Sequence, residues 1–180
     1  MISGSARGRP LKAVPGNGTR PTADRVKEAM FHMIGPYFDG EHVLDLFAGT
    51  GGLGIEALSR GAGQAVFVDI DPKAAETVRA NIAAAKVEGA EVYRSDAMRA
   101  LKALARRGRS FDLIFLDPPY RMRKADEYLL FMERHGMVRE GAKAVIEHDA
   151  STAYPETCGR FVLAKRAEYG DTAVSIYRFE

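Results

Sequence analysis

Phe111-Asp112-Leu113-Ile114-Phe115-Leu116-Asp117-Pro118-Pro119-Tyr120 is a short apolar run that ends in an acid, two prolines and an aromatic ring. A run of this length and composition predicts a buried strand. The prolines stop further strand pairing and fix the backbone as it leaves the sheet. The exit is therefore rigid. It presents one carboxylate, one proline carbonyl and one ring together. An exocyclic amine on a flat base needs those groups: two acceptors for its N–H bonds and a surface to stack on.

Working outward, strand and helix signals alternate from residue 43 onward. Strands are expected at 43–47, 65–70, 91–94, 111–116 and 142–147, and helices at 52–60, 72–85, 97–107 and 125–135. Pro72 suits a first helical turn, and Ala75, Val78 and Ile82 mark an inner helix face. Two further strands, 160–166 and 172–179, flank Gly170-Asp171 and read as an antiparallel hairpin. Such alternation predicts an α/β, doubly wound, mostly parallel sheet of seven strands, closed by that C-terminal hairpin. Ahead of it, Thr22 is a candidate N-cap for a helix carrying Val26, Met30, Met33 and Ile34 on one face, ended by Gly35-Pro36. Ser3 to Arg20 has no hydrophobic period and reads as an extended or mobile arm. The expected organisation is a basic arm at 1–21 and one domain at 22–180.

In an open parallel sheet, ligands bind beyond the carboxyl ends of the strands. Asp45, Asp69, Asp96 and Asp117 follow four successive strands at spacings of 24, 27 and 21 residues. Each spacing is about one strand–helix unit, so the fold should bring all four to one edge. After Asp45 come Gly49, Gly51 and Gly54. These match a dinucleotide fingerprint, a weak signal alone. No Gly-Lys-Ser/Thr follows, and Asp45 would repel a pyrophosphate, so neither an ATP loop nor a nicotinamide dinucleotide fits. Asp45 suits a cationic amine or sulfonium. Asp69 stands where a ribose-binding acid belongs. Its competitor Asp71 precedes Pro72 and reads as a helix cap. Asp96 reads as an N-cap, as an acceptor for an adenine amine, or as both.

Composition narrows the class. The chain has 180 residues, 46% of them hydrophobic, enough for one domain with a core. It lacks the ~20 consecutive apolar residues that span a bilayer, and its polar, basic start has no secretory pattern. With Cys158 alone, no internal disulfide or cysteine-based zinc site can form, and the cytoplasm is the expected compartment. His32, His42, His135 and His148 are scattered, and no metal is expected. Net charge is +2, but residues 1–30 hold six basic side chains against two acidic ones. Arg99, Lys102, Arg106, Arg107 and Arg109 read as a solvated face. Arg121, Arg123 and Lys124, directly after Tyr120, read as contacts to a polyanion, most simply nucleic acid.

A cationic amine near Asp45, a ribose near Asp69 and an adenine near Asp96 assemble into S-adenosylmethionine. The chain accordingly resembles class I S-adenosylmethionine-dependent methyltransferases. Within them it resembles the bacterial 16S ribosomal RNA guanine-N2 methyltransferases. The resemblance is carried by Arg20-Pro21-Thr22-Ala23-Asp24-Arg25-Val26-Lys27-Glu28-Ala29-Met30-Phe31, Leu44-Asp45-Leu46-Phe47-Ala48-Gly49-Thr50-Gly51, Phe115-Leu116-Asp117-Pro118-Pro119-Tyr120 and Tyr169-Gly170-Asp171-Thr172. It implies a cofactor site at Asp45, Phe47, Ala48, Gly49, Thr50, Gly51, Asp69, Ile70, Asp96 and Ala97, and a catalytic exit at Asp117, Pro118, Pro119 and Tyr120. Substrate contacts would come from Arg20, Arg25, Tyr120, Arg121 and Arg123. The implied partner is 16S ribosomal RNA or the small ribosomal subunit particle, with the protein a monomer and no membrane involved.

Asp117 and the Pro118 carbonyl would orient the guanine amine while Tyr120 stacks on the base, which must be unpaired or extruded. Arg20 and Arg25 would contact RNA phosphates or fold over the cofactor, or, for Arg25, pair with Glu28 on the helix. Three other readings compete. A DNA adenine-N6 methyltransferase uses the same tetrapeptide, but little chain remains here for DNA recognition. A protein-glutamine methyltransferase has Asn in place of Asp117. A non-catalytic, cofactor-binding RNA-associated protein would not need both Asp117 and Tyr120.

Overall fold

The computed structural model describes residues 1–16, 24–118 and 125–180. Its elements are α1 (Asp24–Ile34), β1 (His42–Asp45), α2 (Gly52–Ser59), β2 (Gln64–Asp69), α3 (Pro72–Ala85), β3 (Ala90–Arg94), α4 (Ala97–Arg106), β4 (Phe111–Leu116), α5 (Ala125–Arg134), β5 (Val138–Asp149), β6 (Thr157–Cys158), β7 (Phe161–Tyr169) and β8 (Thr172–Phe179). One sheet runs β3-β2-β1-β4-β5-β8-β7-β6. The first five strands pair in parallel and the last three antiparallel. The expected class holds with one correction. The sheet has eight strands rather than seven, because the two-residue β6 pairs with the start of β7. Two residues are too short to carry a period, so no pattern announced it.

Period two sorts the strand side chains onto two faces. Leu44, Val66, Val68, Ile114 and Leu116 pack under α4 and α5. Val43, Ala65, Phe67, Leu113 and Phe115 pack under α1, α2 and α3. Both faces are covered, which is why these strands read as continuous apolar runs. Chain order reverses direction at β1, with β2 and β3 laid down on one side and β4 and β5 on the other. The crevice of a doubly wound sheet opens there, between β1 and β4.

Helix ends follow the local chemistry. Asp71 caps α3 by accepting the Lys73 amide, with Pro72 in the first turn. Asp96 caps α4 by accepting the Arg99 amide. The expected cap Thr22 lies outside the described residues. Gly54, third of the fingerprint, lets α2 close on the sheet, because a Cβ there would collide with the buried Phe67 ring.

The N-terminal segment is not the extended arm expected: residues 3–8 form turns that fold back on Met1, and the segment is tied down through its backbone. The Ile2 and Ser3 amides donate to the Glu56 carboxylate at 2.9 and 3.1 Å, and Ser5 and Ala6 donate to Ser59. Ala6 and Val14 are buried. Glu56 itself is fully buried and also holds Lys27 Nζ at 3.3 Å and Arg60 Nε at 2.9 Å. That joins the segment, α1 and α2 at one carboxylate.

Candidate active site

The carboxyl edge of β1 to β5 opens into a cleft of about 1500 Å³. This exceeds the roughly 300–1,000 Å³ of a small-molecule pocket, so a nucleoside-sized ligand and a second flat ring fit together. Asp45, Asp69, Asp96 and Asp117 all line it. Asp45 ends β1, Asp69 ends β2, Asp96 follows β3 and Asp117 follows β4. The spacing argument thus places the four acids where it says they should be.

The glycine loop hangs on the sheet by its backbone. Leu46 donates to the Phe115 carbonyl at 3.1 Å, and Ala48 to that of Val68 at 2.9 Å. The Gly49 amide donates to Asp69 Oδ2 at 2.9 Å, and the Asp71 amide to Asp69 Oδ1 at 2.9 Å. Asp69 is thereby fixed in orientation, with a second lone pair on each oxygen left for a ligand. Asp96 spends one oxygen on its cap, at 3.1 Å from the Arg99 amide. Its cap and acceptor roles are compatible.

Phe47, Ala48, Gly49, Thr50, Ile70 and Ala97 also line the cleft. Ile70 is 68% exposed, an apolar side chain left uncovered between two acids at the rim. Gly51 does not line it. This residue is buried at φ 81, and a Cβ there would press on Val78 and Ile55 at 3.1–3.2 Å. Its contribution is the shape of the loop rather than a contact. Arg25 is exposed and lines the cleft. The pairing of Arg25 with Glu28 does not form among the described residues. Pro118 lines the cleft beside Asp117. Arg20, Pro119, Tyr120, Arg121 and Arg123 lie outside the described residues.

Electrostatics in the cleft are dominated by crowded carboxyls. Asp45 is buried, and its Oδ2 accepts the Gly54 amide at 3.1 Å. Burial pushes its pKa up to about 7; the Gly54 bond opposes this and Asp69 adds to it. The Asp117 carboxyl is raised well above the usual carboxylate range, first by desolvation, then by Glu147 and Asp45. Asp117 is nevertheless accessible, because its surface faces the cleft. Protein on the remaining sides shields it from bulk water, while a ligand entering the cleft can still reach it.

Sequence reasoning missed part of the wall. Glu147 is a fifth acid on this edge, since Leu116 pairs with Ile146 and the next residues are Asp117 and Glu147, the latter still on β5 and paired with Val174 of β8. Its sequence signal is only that it closes the expected 142–147 run. The turn from Asp149 to Thr152 also lines the cleft, held by Arg166, which donates to the Ala150 and Thr152 carbonyls at 2.6 and 2.8 Å. His148 packs edge-on against Tyr154 at 4.6 Å, and burial, first of its causes, lowers the imidazole pKa. Met1 and Pro10 to Ala13 complete the rim, a contribution that no side-chain pattern in the arm foreshadows.

A family model described as "Conserved hypothetical protein 95" matches residues 1–178. "Putative rRNA methyltransferase YlbH" of Bacillus subtilis (strain 168) is 52% identical over 179 residues, covering 99% of this chain and 97% of that protein. "Ribosomal RNA small subunit methyltransferase D" of Escherichia coli (strain K12) is 33% identical over 180 residues, covering 100% and 89%. A solved structure described as "Putative methyltransferase yhhF from Escherichia coli" superposes with a TM-score of 0.85 at 34% identity, covering 100% of this chain and 97% of that one.

Proposed function

This chain belongs to the family described as Conserved hypothetical protein 95, and on that premise we propose that it transfers a methyl group from S-adenosylmethionine to the exocyclic N2 of a guanine in 16S ribosomal RNA. What supports the reading most is one observation: Asp45, Asp69, Asp96 and Asp117 share a single cleft. Among the described residues no helix is long and apolar enough to cross a membrane.

The cleft fits the cofactor on its own chemistry. The uncovered Ile70 side chain offers an apolar face to a purine ring, with Ala97 also on the lining. Asp69 keeps acceptor capacity on both oxygens for ribose hydroxyls, and Asp96 keeps one oxygen for the adenine amine. Asp45 favours a cation. When bound, S-adenosylmethionine supplies an electrophilic methyl group carried on a sulfonium.

The chain's own residues must then make a poor nucleophile usable. The guanine N2 lone pair is delocalised into the ring. An ionised Asp117 accepts one N2 hydrogen and the Pro118 carbonyl accepts the other. Held so, the nitrogen favours a more tetrahedral geometry, with its lone pair turned toward the methyl donor, and the proton that N2 sheds once methylated leaves along its hydrogen bond to the Asp117 carboxylate. Fixed orientation of this kind can lower a barrier by as much as ~7–11 kcal/mol. Tyr120 stacks on the base, worth roughly 1–3 kcal/mol per base. The base reaches the cleft only when unpaired or extruded. Arg25 at the rim meets the RNA backbone.

The test is transfer of labelled methyl groups from S-adenosylmethionine to 16S ribosomal RNA, free or in small subunits, and to DNA, followed by digestion to nucleosides. N2-methylguanosine from the RNA alone is the expected product. N6-methyladenosine, or labelled DNA, would replace this reading with its adenine-directed rival.

A further inference from the structure

Asn81 lies on α3 in the same inward stripe as Val78 and Ala85, and none of its surface is exposed. A buried amide is tolerated only where its hydrogen-bonding groups are met. Here Asn81 Nδ2 donates to the Thr50 carbonyl at 2.9 Å and to the Lys12 carbonyl at 3.0 Å, while Oδ1 accepts the Lys12 amide at 2.7 Å. One side chain therefore joins three pieces: α3, the glycine loop at Thr50 and the N-terminal segment at Lys12. Thr50 and Lys12 both line the cleft. Further attachments of the segment run to Glu56 and Ser59 of α2, through Arg9 to the Ala85 carbonyl of α3, and through the Ser3 hydroxyl to that of Tyr37.

We propose that Asn81 is a positioning residue through which docking of residues 1–14 sets the glycine loop, so that the segment and the S-adenosylmethionine site are coupled. If the segment lifts away, Asn81 loses two of its three bonds. Its buried Oδ1 is then unpaired, and the amide is free to rotate and release Thr50. A ligand that needs Thr50 and Gly49 in place favours the docked segment, and by reciprocity the docked segment favours the ligand. The inference rests on the cofactor reading given above.

The experiment combines calorimetric binding of S-adenosylhomocysteine with hydrogen–deuterium exchange over residues 2–14, on the full chain. In the wild type, saturating ligand should slow exchange of the Ile2, Ser3, Ala6 and Lys12 amides at least threefold. Asn81→Ala should weaken ligand binding on the order of tenfold, within the range common for coupled sites. Its KM for the cofactor should rise in step, while kcat and the KM for RNA stay within about threefold, a split that simple loss of fold does not produce. Asn81→Asp keeps an acceptor for Lys12 but loses the donor to Thr50, so it should lose affinity while the Lys12 amide stays protected. Ligand binding within twofold of wild type in Asn81→Ala, or wild-type exchange over 2–14 that ignores the ligand, overturns the coupling. Should the variants not fold, the wild-type exchange decides alone. Failure of the wild type to bind the ligand at all would instead overturn the cofactor reading.

Discussion

Asp117 follows β4 directly after Leu116, Glu147 follows its register partner Ile146 on β5, which continues from there paired with β8, and Glu147 adds its charge to the desolvation that raises the Asp117 carboxyl. The two acids face one cleft. An ionised Asp117 accepts from the guanine amine more strongly than its neutral form. Because its pKa is raised, the rate of methyl transfer should climb with pH well above the usual carboxylate range. Glu147→Gln removes one of the charges holding the proton on Asp117, so this limb should move to lower pH. Single-turnover rates measured from acid to neutral pH check the shift; an unmoved limb shows that Glu147 does not bias Asp117.

Asp45 makes a second pH prediction, in binding. Its pKa is about 7 in the free protein, with burial the leading cause. A bound cation favours the carboxylate, so cofactor binding expels a proton wherever Asp45 is still protonated. Affinity should therefore rise with pH up to about 7 and level off above it. Calorimetry at pH 6 in two buffers of different ionisation enthalpy reads the proton directly. Equal apparent enthalpies in the two buffers would remove Asp45 from the cationic end of the ligand.

Asp69 anchors both the Gly49 and Asp71 amides while facing the cleft. Asp69→Asn keeps the shape but leaves one oxygen where there were two, and removes the charge. A lost charged hydrogen bond is worth about 1.5–3 kcal/mol, so S-adenosylhomocysteine affinity should fall roughly 10- to 100-fold. The KM for RNA should not follow. Equal losses in both would mean that the loop has collapsed rather than that a ribose contact is gone.

Glu56 is a stability prediction of opposite pH sign to Asp45. Burial alone would raise its carboxyl, but the Ile2 amide, Lys27, Arg60 and the Ser3 amide outweigh burial and hold it below the usual range. Its stabilisation is present above the unfolded-state pKa and is lost as pH falls through the lower folded-state value. For Asp45 the folded state keeps its proton longer, so stability falls as pH rises from the ordinary carboxylate value through about 7. Glu56→Ala leaves Lys27 and Arg60 as buried cations without their counter-ion, which should cost about 3–5 kcal/mol. Urea unfolding at neutral pH measures it; a loss under 1 kcal/mol would show that the carboxylate carries none of this load.

Much of this architecture was legible because two-sided burial writes itself into sequence. Leu44, Val66 and Ile114 face one helical layer, Val43, Phe67 and Phe115 the other, and the acids recur at the length of one strand–helix unit. The cap at Asp71 and the dual role open to Asp96 were equally readable, because capping is a local matter. The N-terminal segment was not. It is held by its amides to Glu56, Ser59 and Asn81, and backbone hydrogen bonds leave no residue pattern behind. Glu147 closes the 142–147 run with no glycine or proline after it to mark a strand exit, so nothing in the pattern sets it apart. A glycine fingerprint does not separate contact from shape, and Gly51 is required for a left-handed turn packed on Val78.

The central claim is that Asp117 turns a guanine amine toward the methyl donor in this cleft. The most direct measurement is nucleoside mass spectrometry of 16S ribosomal RNA from cells lacking the gene, complemented with wild type or Asp117→Ala, alongside S-adenosylhomocysteine binding by the purified variant. The account predicts that N2-methylguanosine returns with the wild type and stays absent, or about 10²–10³-fold slower to form in vitro, with Asp117→Ala, whose ligand affinity is retained. Full N2-methylguanosine in cells carrying Asp117→Ala would contradict it.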